Sequence, residues 1–163
     1  MLKVGIIGPE STGKSTLASY LAKRYDAVLV PEYARDYMEK RALACAYTRE
    51  DVENIARYQI EELQVLCSVD RQNDVIFFDT ELIITKVWLL HKYGECPDWI
   101  EQAIRQYPMD VYLLCYPDLP WEPDPVRENP TIREYLFDWY EREIQALDIP
   151  YYIIRHKGVR EEK

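Results

Sequence analysis

The run Gly8-Pro9-Glu10-Ser11-Thr12-Gly13-Lys14-Ser15-Thr16 satisfies the pattern G-x-x-x-x-G-K-[ST] at every fixed position. The chemistry of that pattern is phosphate binding. Gly8 and Gly13 let successive backbone N–H groups curl around an anion, and a helix opening near Lys14 adds its unpaired N–H groups and the positive end of its dipole. Lys14 would reach the β- and γ-phosphates, and the Ser15 hydroxyl would ligate Mg²⁺. Glu10, Ser11, Thr12 and Thr16 complete the expected nucleotide cradle. The competing reading is a chance glycine turn before an amphipathic helix. The flanks oppose it: Val4-Gly5-Ile6-Ile7 is strand-like, and Leu17, Leu21 and Tyr25 recur at helical spacing. Strand, glycine loop and helix in that order predict a nucleoside triphosphate site, with ATP and Mg²⁺ as the expected cofactors.

Other residues could act beside that cradle. Asp79 closes the apolar run Val75-Ile76-Phe77-Phe78. A carboxylate there would face the phosphate loop across a neighbouring strand and hold Mg²⁺, directly or through water. It could equally cap the following helix. Glu32 and Arg35 follow the second strand candidate, where open parallel sheets place ligands. Glu32 could accept the proton of an attacking hydroxyl and Arg35 could grip a phosphate. The plainer alternative is a first-turn acid with a surface arginine partner. Further on, Arg127 and Arg133 are candidates for neutralising charge on the transferred phosphoryl group, and Asp124 could orient one of them. Trp88 or Trp121 could stack on a flat ring, whereas Trp99 and Trp139 read as core. His91 and His156 have no partner pattern and read as structural or surface residues.

The elements that must position these groups alternate. Strands are predicted at 3–7, 27–31, 74–78, 110–115 and 150–154, and helices at 14–25, 33–44, 49–69, 81–93, 98–106 and 130–147. Unbroken apolar strands alternating with amphipathic helices predict an α/β, three-layer fold around a five-stranded parallel sheet. Thr48 with Asp51 makes a helix start at 49, and Pro97 with Asp98 another. The proline-punctuated stretch 116–130, with Pro117, Pro120, Pro123, Pro125 and Pro130, is long for a connection and is expected to be a lid.

The 163 residues suit a single domain spanning 1–163. With 48% hydrophobic and 30% charged residues, this is an ordinary soluble composition. A net charge of −9 and no basic face argue against nucleic acid as a partner. No apolar window is long enough to span a membrane, and no secretory signal is visible. Cys45, Cys67, Cys96 and Cys115 form no C-x-x-C pair, so a zinc site is not expected and a cytoplasmic setting with reduced thiols is. A GTPase is disfavoured because Asp79-Thr80-Glu81-Leu82 lacks the D-x-x-G glycine and no N-K-x-D occurs. A protein kinase is excluded by the phosphate loop itself. A ring-forming mechanochemical ATPase would need a further helical domain for which there is no room.

Gly8–Thr16, Glu32-Tyr33-Ala34-Arg35-Asp36-Tyr37, Gln59, Asp79-Thr80-Glu81 and the Pro120-Trp121…Asp124…Arg127 segment occur in this order. In these the chain resembles the ribosylnicotinamide kinase domain of the bacterial NAD-biosynthesis and regulator proteins, from Lys3 to about Tyr152. The resemblance implies a nucleoside- or nucleotide-kinase type of P-loop fold and ATP-dependent phosphorylation of the 5′-hydroxyl of nicotinamide riboside. It also implies a substrate corner lined by Glu32, Tyr33 and Arg35, with Trp88 or Trp121 on the pyridinium ring and Arg127 in the lid. Asp79 would serve the metal or the acceptor hydroxyl. An acidic, aromatic pocket suits a cationic ring. Gly158 and Arg160 would belong to an adenine-contacting loop. No adenylyltransferase or DNA-binding segment precedes the kinase-like region, so those activities are not carried over. A kinase for another nucleoside or deoxynucleoside, and a regulatory ATPase module, are the alternatives.

Overall fold

The apolar runs of the central strands are packed on both faces, as a parallel sheet between helical layers provides, while the edge strands keep some residues exposed. The strands are β1 (Leu2–Ile7), β2 (Val28–Val30), β3 (Val75–Asp79), β4 (Val111–Cys115) and β5 (Tyr151–Ile154). The helices are α1 (Lys14–Arg24), α2 (Tyr33–Lys40), α3 (Arg49–Cys67), α4 (Leu82–Tyr93), α5 (Asp98–Gln106) and α6 (Arg133–Ala146). The computed structural model describes residues 1–41, 46–69, 74–124 and 127–156. The end of the predicted helix 33–44, Cys45, Pro125, Gly158 and Arg160 lie outside the described residues.

All five strands are parallel, in the order β2-β3-β1-β4-β5. The expected five-stranded parallel sheet is therefore present. Alternate residues serve opposite faces. Ile7, Ile76, Phe78, Tyr112 and Leu114 join the larger core, built with α3, α4, α5 and α6. Val4, Ile6, Phe77 and Cys115 form the smaller core, where Ala18 and Ala22 bring α1 close.

Three details differ from the sequence expectation. No strand stands between Asp79 and the phosphate loop: β3 lies directly against β1, with Ile6 in register with Asp79. Asp79 is inside the strand and does not cap α4, because Glu81 takes that place by accepting from the Ile83 N–H at 3.0 Å. The last helix begins at Arg133 instead of 130, and ahead of it the N–H groups of Glu128 and Asn129 are held by Glu10. The predicted capping box at Thr48 and Asp51 forms in both directions.

Glu81 is buried beside Tyr112, and burial pushes its carboxyl from 4.5 up to about 7. The native state thus holds this proton more tightly than the unfolded chain does. The stability it contributes is fully present below about 4.5 and is lost as pH rises through about 7, an effect of up to ~3 kcal/mol. Glu81→Gln keeps an oxygen for the Ile83 N–H and cannot ionise. In urea unfolding at pH 5 and pH 8, the wild type should lose more stability than Glu81→Gln; parallel losses would show that Glu81 stays charged.

Candidate active site

The phosphate loop is shaped by its glycines and by β4. Gly8 approaches β4 so closely that a Cβ there would lie 2.7 Å from the Cys115 carbonyl oxygen. Gly13 has φ +78°, a left-handed conformation that side chains disfavour, and it leads directly into α1. Ser11 also has positive φ, at 57°. Thr12 is buried and ties the loop internally, its hydroxyl donating to the Pro9 carbonyl at 2.8 Å. Lys14 Nζ folds back over the loop, donating to the Gly8 and Pro9 carbonyls at 2.9 and 2.8 Å. Thr16 is exposed in the first turn of α1.

Ser15 and Asp79 meet: Ser15 Oγ donates to Asp79 Oδ2 at 2.7 Å. The other carboxylate oxygen, Oδ1, and the hydroxyl of neighbouring Thr80 are buried without a hydrogen-bond partner among the described residues. Thr80 is also held at φ 72°. Unpaired buried oxygens need an explanation, and a bound water or ion supplies one. Hard oxygen donors such as Ser15 and Asp79 fit Mg²⁺, which takes one or two protein oxygens and completes its shell with water and phosphate. Among the described residues no group of three or more His, Cys, Asp or Glu offers a fuller metal site.

Beside the loop opens a cavity of about 350 Å³. Gly8, Glu10 and Lys14 form its phosphate-loop wall, and Glu32 and Arg35 another. Burial raises the Glu32 carboxyl above its usual 4.5, as does the charge of Asp79, while Lys14, Arg35 and Arg127 pull it down. Trp88 is in the wall as well, its indole N–H donating to Tyr47 Oη at 2.7 Å. Tyr47 meets Glu128, and Glu128 faces Lys92 at 3.4 Å, so this end of the cavity mixes aromatic rings with a paired acid and base.

Several candidates sit elsewhere than expected. Trp121 is not in the cavity wall; its indole N–H donates to Glu10 Oε2 at 3.0 Å. Tyr33 is also outside the wall, stacked on Tyr58 with ring centroids 3.5 Å apart. Asp124 binds Arg35 through both oxygens at 3.0 and 2.9 Å, joining the 116–130 segment to α2. Arg127 donates to the Glu122 carbonyl at 2.8 Å, and Arg133 reaches the Glu10 and Ser11 carbonyls at 3.4 Å. Sequence reasoning missed Thr80, Thr85, Lys92, Glu128 and Asn129 in the wall. Gln59, one of the residues that carried the resemblance, is in it too, accepting from the Thr85 hydroxyl at 2.7 Å. His156, which reads as structural or surface from sequence, pairs with Asp118 and comes within 3.0 Å of where a Gly13 Cβ would be.

A parallel sheet in this order, a phosphate loop after its first strand and a carboxylate on the adjacent strand define a P-loop protein of the kinase type. The chain belongs to the family described as "AAA domain", which it matches over residues 3–163. It is 30% identical over 128 residues to the "Trifunctional NAD biosynthesis/regulator protein NadR" of Escherichia coli (strain K12), covering 76% of this chain and 30% of that protein's length. A crystal structure of NadR in complex with NR superposes with a TM-score of 0.76 at 22% identity, over 93% of this chain and 43% of that one. A second, with NAD and AMP-PNP, gives 0.77 at 21% identity, over 96% and 44%. Among the described residues no helix is long and apolar enough to cross a membrane.

The contact between Gly8 and β4 makes a specific demand. In Gly8→Ala the methyl group, 2.7 Å from the Cys115 carbonyl, must push the loop off the sheet. A loss of about 1–3 kcal/mol is expected on thermal unfolding, together with weakened AMP-PNP binding by calorimetry. An unchanged melting temperature with unchanged binding would mean the loop is not set by β4.

Proposed function

We propose that this protein is an ATP-dependent kinase that phosphorylates the 5′-hydroxyl of nicotinamide riboside, giving nicotinamide mononucleotide, in the cytoplasm. The observation that carries this reading is that one cavity is walled both by the phosphate loop, through Gly8 and Lys14, and by Glu32 at the end of β2. A phosphate cradle and a carboxylate base thus share one space. The likeness to NadR supports the choice of acceptor, as does a wall holding Trp88, Glu32 and Glu128, which suits a cationic ring.

In the proposed reaction the acceptor hydroxyl gives its proton to Glu32 as its oxygen bonds to the γ-phosphorus. The bond from that phosphorus to the β–γ bridging oxygen breaks, and ADP leaves with the electron pair. The partly buried setting of Glu32 matches its carboxyl to a proton acceptor better than a fully solvated one would be. Lys14 neutralises charge on the β- and γ-phosphates, and Arg133, on the phosphate-loop side of α6, adds positive charge. Ser15 and Asp79 would hold Mg²⁺, which would supply neutralisation of the phosphate charge. Trp88 offers a ring face to the base, and Arg35, fixed by Asp124, borders the acceptor.

The deciding experiment incubates purified protein with ATP, Mg²⁺ and nicotinamide riboside and weighs the product. A product heavier by one phosphoryl group is expected, and ATP turnover that nicotinamide riboside does not accelerate would defeat the proposal. Lys14→Ala should lower kcat/KM by at least ~100-fold. Glu32→Gln should lower kcat with ATP binding largely kept. For the wild type, kcat/KM should fall as pH drops through a value above the ordinary 4.5 of glutamate, since the base must be ionised. Full activity in Glu32→Gln, with the acid limb intact, would transfer the base role to another group.

A further inference from the structure

Glu10 occupies an unspecified position of the phosphate-loop pattern, and its carboxylate does not stand free. Oε1 accepts from the Glu128 N–H at 3.0 Å, and Oε2 accepts from the Asn129 N–H and the Trp121 indole N–H, each at 3.0 Å. Next to it, Ser11 Oγ accepts from the Glu122 N–H at 3.0 Å. Arg133 closes the arrangement from α6, donating to the carbonyls of both Glu10 and Ser11 at 3.4 Å. The described parts of the segment between β4 and α6 are therefore fastened at both ends to two consecutive phosphate-loop residues.

The consequence lies in the cavity. Glu10, Glu128 and Asn129 are all in its wall, and Glu128 runs on to Tyr47 and Lys92. Tyr47 in turn receives the Trp88 indole N–H at 2.7 Å. A continuous set of hydrogen bonds thus links the loop that would carry the triphosphate to the wall that would face the acceptor. Bonds to an ionised carboxylate are the strong kind, and three of them fix both its position and that of the chain they hold.

We propose that Glu10 is a positioning residue: its side chain latches Trp121, Glu128 and Asn129 to the phosphate loop and so sets the acceptor wall, coupling nucleotide and acceptor binding. The coupling rests on the kinase reading above; the latch itself does not. By linkage, a lid held through the nucleotide's own loop makes each ligand favour the other by the same factor.

The test uses the full chain and two readouts. The peptide bond Arg127–Glu128 is a trypsin site whose nitrogen is held by Glu10. In ligand-free protein, Glu10→Ala should speed the appearance of the fragment ending at Arg127 about tenfold or more, with Glu10→Gln intermediate because one oxygen acceptor remains. Ser11→Ala, which frees only the Glu122 end, should have a smaller effect. Thermal melts establish that each variant is folded, and an unfolded Glu10→Ala hands the decision to Glu10→Gln. Cleavage as slow as in wild type would overturn the latch. The second readout is kinetic: in Glu10→Ala the acceptor KM should rise about tenfold, more than kcat falls and more than AMP-PNP affinity weakens. Equal changes in KM and kcat, or an unmoved acceptor KM, would overturn the positioning role. If wild-type protein turns over no nicotinamide riboside, the kinase reading fails on its own, and the cleavage rates still decide the latch.

Discussion

The pairing of β1 with β3, in register at Ile6 and Asp79, is the constraint on which the site depends. It brings the end of β3 alongside the strand that delivers the phosphate loop, and the Thr80 N–H confirms the alignment by donating to the Ile6 carbonyl at 3.0 Å. Side chains alternate along a strand, so Asp79 shares a face with Val75 and Phe77, the face that α1 covers. Ser15 is in the first turn of that helix, which is why its hydroxyl meets the carboxylate at 2.7 Å. A slip of one residue would send Asp79 to the opposite face. The packing that forbids the slip is hydrophobic: Ile76 and Phe78 are committed to one core and Phe77 to the other.

A chain of net charge −9 must gather cations deliberately to receive a triphosphate. Lys14, Arg35 and Arg133 are brought to one end of the sheet, each already oriented by oxygen acceptors: loop carbonyls for Lys14 and Arg133, the Asp124 carboxylate for Arg35. Orientation of this kind lowers the reorganisation required when charge develops. The same arrangement sets Glu32. Burial and Asp79 favour its proton, Lys14 and Arg35 oppose it, and the carboxyl comes to rest above its ordinary value. A carboxylate held that way is a better proton acceptor than a surface one.

Much of this was legible from residue order. The unbroken apolar runs marked the central strands because both faces of those strands are covered, and the phosphate loop located the site. What the sequence withheld was long-range pairing. Arg35 and Asp124 lie 89 positions apart, Tyr47 and Glu128 81, and His156 and Asp118 38, and no local periodicity encodes such contacts. The adjacency of β3 to β1 was also hidden, since strand order depends on crossovers and not on the strands themselves. Trp121 shows the same limit of a sequence reading. An indole is judged by its flat face, whereas here the N–H, needing an acceptor, found Glu10.

The segment between β4 and α6 poses the sharpest physical problem, because an irregular stretch crossing a site leaves backbone donors without partners. Its composition removes part of the problem, since Pro120, Pro123 and Pro130 have no N–H to satisfy and stiffen the unfolded chain as well. Four of its donors are matched close to the site: Ser11 takes the Glu122 N–H, the Asp124 carbonyl takes that of Arg127, and Glu10 takes those of Glu128 and Asn129. Three of these four donors find their acceptors on phosphate-loop side chains, which do there what a helix or strand would otherwise do. The benefit runs both ways. An acidic side chain beside a phosphate site would repel the phosphate, but a carboxylate surrounded by three N–H groups has much of its field absorbed locally. Glu10 is tolerable in the loop because Trp121, Glu128 and Asn129 surround it, and those three residues are held in place because Glu10 is there.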